Sequence, residues 1–280
     1  MDFGLKKFNL FLQSAMDSGT KVLFFDIDGT IMTFSYTIPE STVCAIQRAR
    51  ADGNICIICS GRPVAHVDPQ VRAIGFDGFV CSCGMHVVLG EKDLFHASAT
   101  PEITRKTIAL ARASDSDVIY ENEDGMFFDR TRPLNDYMRT SRDHFGGVGL
   151  NVDGDIDAPD YAFDKIFCWT RPENPNCGEF LDFLNENFHV IGRGEETFEV
   201  VAPGCSKRTG MEKMLCALDL PWENTYAFGD GLNDLDMLDF AGHSIAMGNG
   251  RSEVKERADY ITADIEEDGL ALAMEHFDLI

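Results

Sequence analysis

A chain of 280 residues can bury one large or two medium cores, and a net charge of -23 with 44% apolar residues describes a globular protein that nucleic acid would be repelled from. A phosphorylated substrate would feel the same repulsion and would need a local cation, either a metal or a placed Lys or Arg. Nine scattered cysteines, with neither a long apolar core nor a cleavage pattern in residues 1–20, lead us to expect a cytoplasmic protein with no disulfide framework and no membrane partner.

In chain order, the first strong element is the apolar run Val22 to Phe25, which stops at Asp26, Asp28 and Gly29. An uninterrupted run of β-branched and aromatic residues is expected of a central parallel strand covered on both faces, with Asp26 its last residue. Carboxylates two positions apart on a strand share a face. There they either repel, so that one keeps its proton, or share a divalent cation. An acidic turn closed by Gly29 at positive φ is the alternative that the rest of the chain has to displace.

Residues 39–50 read as a helix with Pro39 in its first turn, and residues 55–59 as a second buried strand ending on Ser60, Gly61, Arg62 and Pro63. A helical stretch to Gly75 and a short strand at 79–81 complete the rhythm of right-handed βαβ units. Cys56 with Cys59 and Cys81 with Cys83 raise the question of a four-thiolate zinc site. Residues three apart on a strand face opposite ways, however, so these thiols read as small buried hydrophobes. Residues 85–97 then alternate like a hairpin.

The pattern changes to helix (101–113), hairpin (117–129), helix (134–145), acidic loop (151–160), strand (163–170), helix (177–188) and a pair of strands (189–201) joined at Gly192, Arg193 and Gly194. This α+β order reads as an insert, giving a core of residues 1–98 and 201–280 around a second domain of residues 99–200. The βα rhythm returns with a helix at 206–218, a strand at 225–229, a helical turn within 230–238, a strand at 243–247, a short helix at 253–258, a strand at 260–262 and a terminal helix at 269–277. The expected fold class is α/β, a Rossmann-like doubly wound parallel sheet with an inserted α+β unit.

Polar groups stand at matching strand ends: Asp26 and Asp28, Ser60, and Asp230 with Asn233 and Asp234, while Lys207 opens the helix after the insert. In a parallel sheet all such ends lie on one edge, so these residues converge across two hundred positions. Singly, Ser60 reads as a helix cap, Lys207 as a solvated lysine and Asp234 as a first-turn acid; together they make a phosphoryl-transfer site. Asp26 can attack phosphorus, and Asp28, crowded by Asp26, can keep a proton for the leaving alkoxide. Mg²⁺ on Asp26, Asp230 and a backbone oxygen would lower the repulsion between nucleophile and phosphate, while Lys207, Ser60 and Asn233 hold phosphate oxygens.

Asp26-Ile-Asp-Gly-Thr30, Ser60-Gly-Arg-Pro63, Lys207 and Gly229-Asp-Gly-Leu-Asn-Asp234 resemble, in order, the four motifs of the haloacid dehalogenase superfamily, and the insert is similar to the cap of its Cof-like, class IIB phosphatases. The resemblance implies a nucleophile at Asp26, an acid/base at Asp28, a catalytic lysine at Lys207 and phosphate contacts from Thr30, Ser60, Gly61, Arg62, Lys207 and Asn233. It also implies Mg²⁺ at Asp26, Asp28 (through its carbonyl), Asp230 and Asp234. A phosphatase of small soluble phosphomonoesters, such as a sugar phosphate or related metabolite, is expected, with a sugar phosphomutase or a non-catalytic metabolite-binding regulator as alternatives. Cys83 stands where relatives often carry Asn, and Arg208 where they carry Gly; the latter either adds a cation near the phosphate or points to solvent.

Overall fold

A computed structural model describes residues 19–280; the reading of the amino terminus as neither signal nor anchor falls on residues 1–18, outside the described ones. β1 (Val22–Phe25) is buried at every position, as its unbroken apolar run requires. It leads through α1 (Glu40–Ala51) to the equally buried β2 (Ile55–Cys59), and through α2 (Pro69–Ile74) to β3 (Gly78–Cys81). The helical stretch expected up to Gly75 is broken, because Val67 and Asp68 are extended and the Asp68 carboxylate caps α2 by accepting from Gln70 N at 2.9 Å. Pro39 is the residue before α1, not part of its first turn. The hairpin β4 (His86–Leu89) and β5 (Lys92–His96) adds two antiparallel strands to the same sheet.

The next segment builds its own sheet. It contains α3 (Pro101–Ala113), β6 (Asp117–Asn122), β7 (Gly125–Phe128), α4 (Asp136–Gly147), β8 (Lys165–Trp169), α5 (Cys177–Asn187), β9 (His189–Gly192) and β10 (Thr197–Val201). These five strands pair antiparallel in the order β7-β6-β8-β10-β9. One face packs on α3 and α5 through Val118, Tyr120, Ile166, Phe180 and Leu184. α4 covers part of the other face through Met138 and Phe145.

The chain then returns through α6 (Lys207–Leu218), β11 (Thr225–Gly229), α7 (Leu235–Phe240), β12 (His243–Ala246), α8 (Ser252–Lys255), β13 (Tyr260–Ile261) and α9 (Gly269–His276). The large sheet has the order β13-β12-β11-β1-β2-β3-β4-β5, parallel from β13 to β3. Cys56 and Ile58 pack with α1, α2 and α9 on one face, whereas Ile57 and Cys59 pack with α6 and α7 on the other. The two thiols of that strand therefore do point apart, and each contributes like a small apolar side chain. The structure is doubly wound, with helices on both faces. Among the described residues no helix is long and apolar enough to cross a membrane.

Both connections between the two sheets meet one apolar cluster of Cys83, Met85, Val201 and Cys205: the second contributes Val201 and Cys205, and Ala97 of the first packs against it. A second set of contacts lies along α4 and the loop before β8. Tyr36 stacks on His144 at 3.4 Å, the Asp68 carboxylate is 3.2 Å from His144 Nε2, and His66 Nε2 is 2.7 Å from the carbonyl of Asn151. Those contacts place the smaller sheet over the carboxyl ends of the parallel strands.

Candidate active site

From β1 the chain winds outward through β2 and β3, and from β11 it winds the other way, so the crevice between β1 and β11 is the switch point of the sheet. Asp26 extends the ladder one step, its N–H donating to the carbonyl of Phe228 at 3.0 Å, and its carboxylate emerges at this crevice. Gly29 turns the chain with φ +89°, and a Cβ there would sit 2.3 Å from Asp230 Oδ2. Both the backbone angle and the approach of Asp230 demand glycine at that position. Carboxylate oxygens of Asp26, Asp230 and Asp234 come within 4.8 Å of one another, and all three residues are buried.

Lys207 is the first residue of α6, after Ser206, whose hydroxyl and backbone form a reciprocal cap with Thr209. That cap aims a fully buried lysine into the crevice. Its Nζ donates to Asp26 Oδ1 at 2.6 Å and Asp234 Oδ1 at 2.5 Å. Asp234 is saturated, since its other oxygen accepts from the backbone N–H groups of Asp230 and Gly231 at 3.0 and 2.9 Å. One lysine thus faces three buried acids. Burial, with the charges of Asp234 and Asp28 adding to it against Lys207, pushes the Asp26 carboxyl up to about 7; burial together with Asp26 and Asp234 pushes Asp230 up to about 8. A crevice short of positive charge and rich in oxygen donors fits a hard divalent cation.

Asp28 differs from the expectation that crowding keeps it protonated. Burial does press its pKa upward, but the Arg62 guanidinium, with hydrogen bonds of 2.9 and 2.5 Å to the two carboxylate oxygens, holds it below the usual range. Arg62 is correspondingly gripped by Asp28 through Nε and Nη2 and lies 5.0 Å over the Phe145 ring, while its Nη1 is buried without a partner among the described residues at the border of the cavity that Asp26 and Asp28 line. Thr30 is fully buried with its hydroxyl toward Asp230 at 3.5 Å, so it supports that carboxylate instead of facing a ligand. Ser60 accepts from Arg62 N at 3.2 Å, which orders the loop after β2. Ser60, Gly61 and Asn233 border a cavity of about 380 Å³ together with Asp26 and Asp28. The Asn233 side-chain oxygen is buried without a partner among the described residues.

The other wall of this cavity comes from the smaller sheet, and here sequence reasoning had missed residues. Arg193, read only as part of a turn, borders the cavity, and its charge is felt by both Asp28 and Asp230. Glu199 approaches Gly61 so closely that a Cβ there would be 2.6 Å from its Oε1. Burial would raise the Glu199 carboxyl, yet Lys165, Arg193 and a hydrogen bond from the Cys83 thiol at 2.5 Å bring it down to about 2. Cys83 has φ 50° and ψ 44°, the left-handed conformation, which Asn adopts more readily than Cys. Alternation along β8 and β10 marks Lys165 and Glu199 as sharing the face opposite Ile166 and Val200; such polar residues inside apolar strands are the available signal. Arg208 pairs with Glu212 at 2.9 Å on the exposed side of α6, away from the cavity.

Residues 23–274 match the profile of the haloacid dehalogenase-like hydrolase family. The chain is 32% identical over 277 residues to the protein YkrA of Bacillus subtilis (strain 168), covering 95% of this chain and all of that one. With the 5-amino-6-(5-phospho-D-ribitylamino)uracil phosphatase YitU of the same organism it shares 27% over 284 residues, 94% of this chain and 99% of the relative. Its structure is similar to that of the subclass IIB sugar phosphatase BT4131, with a TM-score of 0.79, 28% identity and coverage of 93% of this chain and 100% of the other. The chain belongs to the haloacid dehalogenase-like hydrolase family, among its class IIB phosphatases.

Proposed function

We propose that the protein is a Mg²⁺-dependent phosphatase of small phosphomonoesters that works through an aspartyl-phosphate on Asp26. The observation that carries this reading is the meeting of Asp26, Asp230 and Asp234 with Lys207 at the switch point, beneath a cavity that can hold a small ester. Asp26 presents one oxygen to Lys207 and borders the cavity, so it supplies the attacking oxygen. Asp28, steered by Arg62, stands beside it as proton carrier: it gives a proton to the departing alkoxide and takes one from the water that cleaves the phosphoenzyme. The low pKa that Arg62 imposes favours the second role, and Arg193 and Asn233 stand where the phosphate oxygens gather charge. Asp26 and Asp230 would hold Mg²⁺, with the carbonyl of Asp28 as the further ligand that the family resemblance implies, and the ion would supply the positive charge this crevice lacks. Asp234, with both oxygens taken, orients Lys207 and the loop after β11 instead of offering a further ligand.

Residues 99–200 then act as a cap that closes over the leaving group and excludes water. Nine free thiols, seven of them buried, support a reducing, cytoplasmic setting. Phosphate release from a panel of phosphorylated metabolites and para-nitrophenyl phosphate, with Mg²⁺ and after EDTA, tests the reading. Release that EDTA silences and Mg²⁺ restores is expected; no release from any ester, or release indifferent to EDTA, refutes it.

A further inference from the structure

Alternate residues of β6 and β8 face the cavity, and their apolar stretch ends in a charged corner. Ile119 and Phe167 pair in register, and the next cavity-facing pair along is Glu121 with Lys165. Lys165 Nζ is 3.0 Å from Glu121 Oε1 and 3.7 Å from Glu199 Oε1. Glu121 is 1% exposed, and its Oε2 has no hydrogen-bond partner among the described residues. A buried carboxylate oxygen without a donor is costly, and burial, only partly offset by Lys165, pushes this carboxyl up to about 7. Native structures keep such an atom where a ligand or water completes it.

The phosphate is not that ligand. Glu121 and Glu199 would repel it, and Asp26, Lys207 and Asn233 already define its place at the opposite wall. Oε2 therefore meets the other part of the ester. We propose that the Glu121–Lys165 pair is a leaving-group subsite that holds a hydroxyl, which donates to Glu121 Oε2 and accepts from Lys165 Nζ. Lysine has three donors, and two at most are directed at Glu121 and Glu199, so one remains for the substrate. A hydroxyl is the simplest group that gives and takes at once; an ether or an alkyl chain leaves Oε2 unsatisfied. Tyr137, Phe145 and Phe167 border the same cavity and give it an aromatic lining that suits the C–H side of a sugar or polyol. The substrate class is thus the phosphate esters of sugars and polyols, an inference that rests on the phosphatase reading.

The test compares kcat/KM for glucose 6-phosphate, sorbitol 6-phosphate and ribose 5-phosphate with that for pentyl and hexyl phosphate and for para-nitrophenyl phosphate. The wild-type protein should favour the best hydroxylated ester over the alkyl esters by about tenfold to a hundredfold, the worth of one hydrogen bond to a charged group. In Glu121→Gln, Lys165 keeps the amide oxygen and the amide nitrogen takes the place of Oε2, so an acceptor becomes a donor. The ratio of hydroxylated to alkyl ester should fall about tenfold or more in that variant, and likewise in Glu121→Leu if a cooperative melt shows it folded. A wild-type ratio near one, or a ratio unchanged in Glu121→Gln, overturns the subsite while para-nitrophenyl phosphate turnover keeps the phosphatase reading standing. No turnover of any of these esters takes both down.

Discussion

Asp26 commits one oxygen to Lys207 and leaves the other toward the cavity, which separates it from Asp234, whose two oxygens are both taken. Asp26→Asn should therefore lower kcat by at least about 10³-fold, because an amide is no nucleophile. Its thermal midpoint should hold or rise, since the change removes one of three crowded negative charges and leaves Lys207 paired with Asp234. Steady-state rates and a melt on the same preparation check this; a tenth of wild-type activity would rule out the covalent route. Arg193 belongs to the opposite wall. Arg193→Ala should cost about tenfold in kcat/KM even on para-nitrophenyl phosphate, whose leaving group makes few demands on a cap, because the lost cation serves the phosphate end. An unchanged rate on that ester would confine Arg193 to selecting among substrates.

At the scale of elements, α4 meets the loops after β1 and β2 through ring stacking and His66. The His66 ring is fully buried, with Nε2 on the Asn151 carbonyl and Nδ1 without a partner among the described residues, so a proton on Nδ1 would be unsatisfied. Burial, aided by Arg62 against the Asn151 bond, depresses its pKa to about 4. The unfolded chain, with an ordinary histidine, binds this proton at higher pH than the folded one. Folded-state stability should consequently be full above about pH 6.5 and fall by about 1 kcal/mol per pH unit as acid takes the solution toward pH 4. Urea midpoints of the wild type and His66→Gln between pH 7.5 and 5 measure it, and equal slopes would acquit His66. The strands and helices on either side of this contact were largely legible, because β1, β2 and β11 are unbroken apolar runs and α3 has a clear cap. The contact itself was not: His66, Tyr36, His144 and Asn151 lie in three separate segments, and no periodicity joins them. Arg62 and Asp28 were hidden for the same reason, although each was singled out; the motif names the residues, but only the docked loops show that they grip one another.

For the whole molecule, a net charge of -23 and an acid-rich crevice at the switch point mean that the proposed divalent cation should stabilise the fold on binding. Saturating Mg²⁺ should raise the thermal midpoint by several degrees, the shift expected of about 3 kcal/mol of linked binding at a hundred times Kd. Asp230→Ala should abolish most of that shift; an undiminished shift would move the metal elsewhere. Ca²⁺ should stabilise comparably and support turnover poorly, since it favours more ligands at longer range. The parallel core could be read from the order of its strands, whereas the cavity could not, because which face of β6 and β8 looks inward depends on how the second sheet is laid over the first. That sheet is tethered by two connections that share the cluster of Cys83, Met85, Val201 and Cys205. Neighbouring tethers leave a single line to swing about, so any opening of the upper unit should follow the path of a jaw. Contacts beside the line, such as Cys83 with Glu199, should travel least in that swing, while those of Tyr36, His66 and Asp68 should part first. Such an opening would route ester and alcohol through one corner, past the 72% exposed ring of Phe34 at the cavity border.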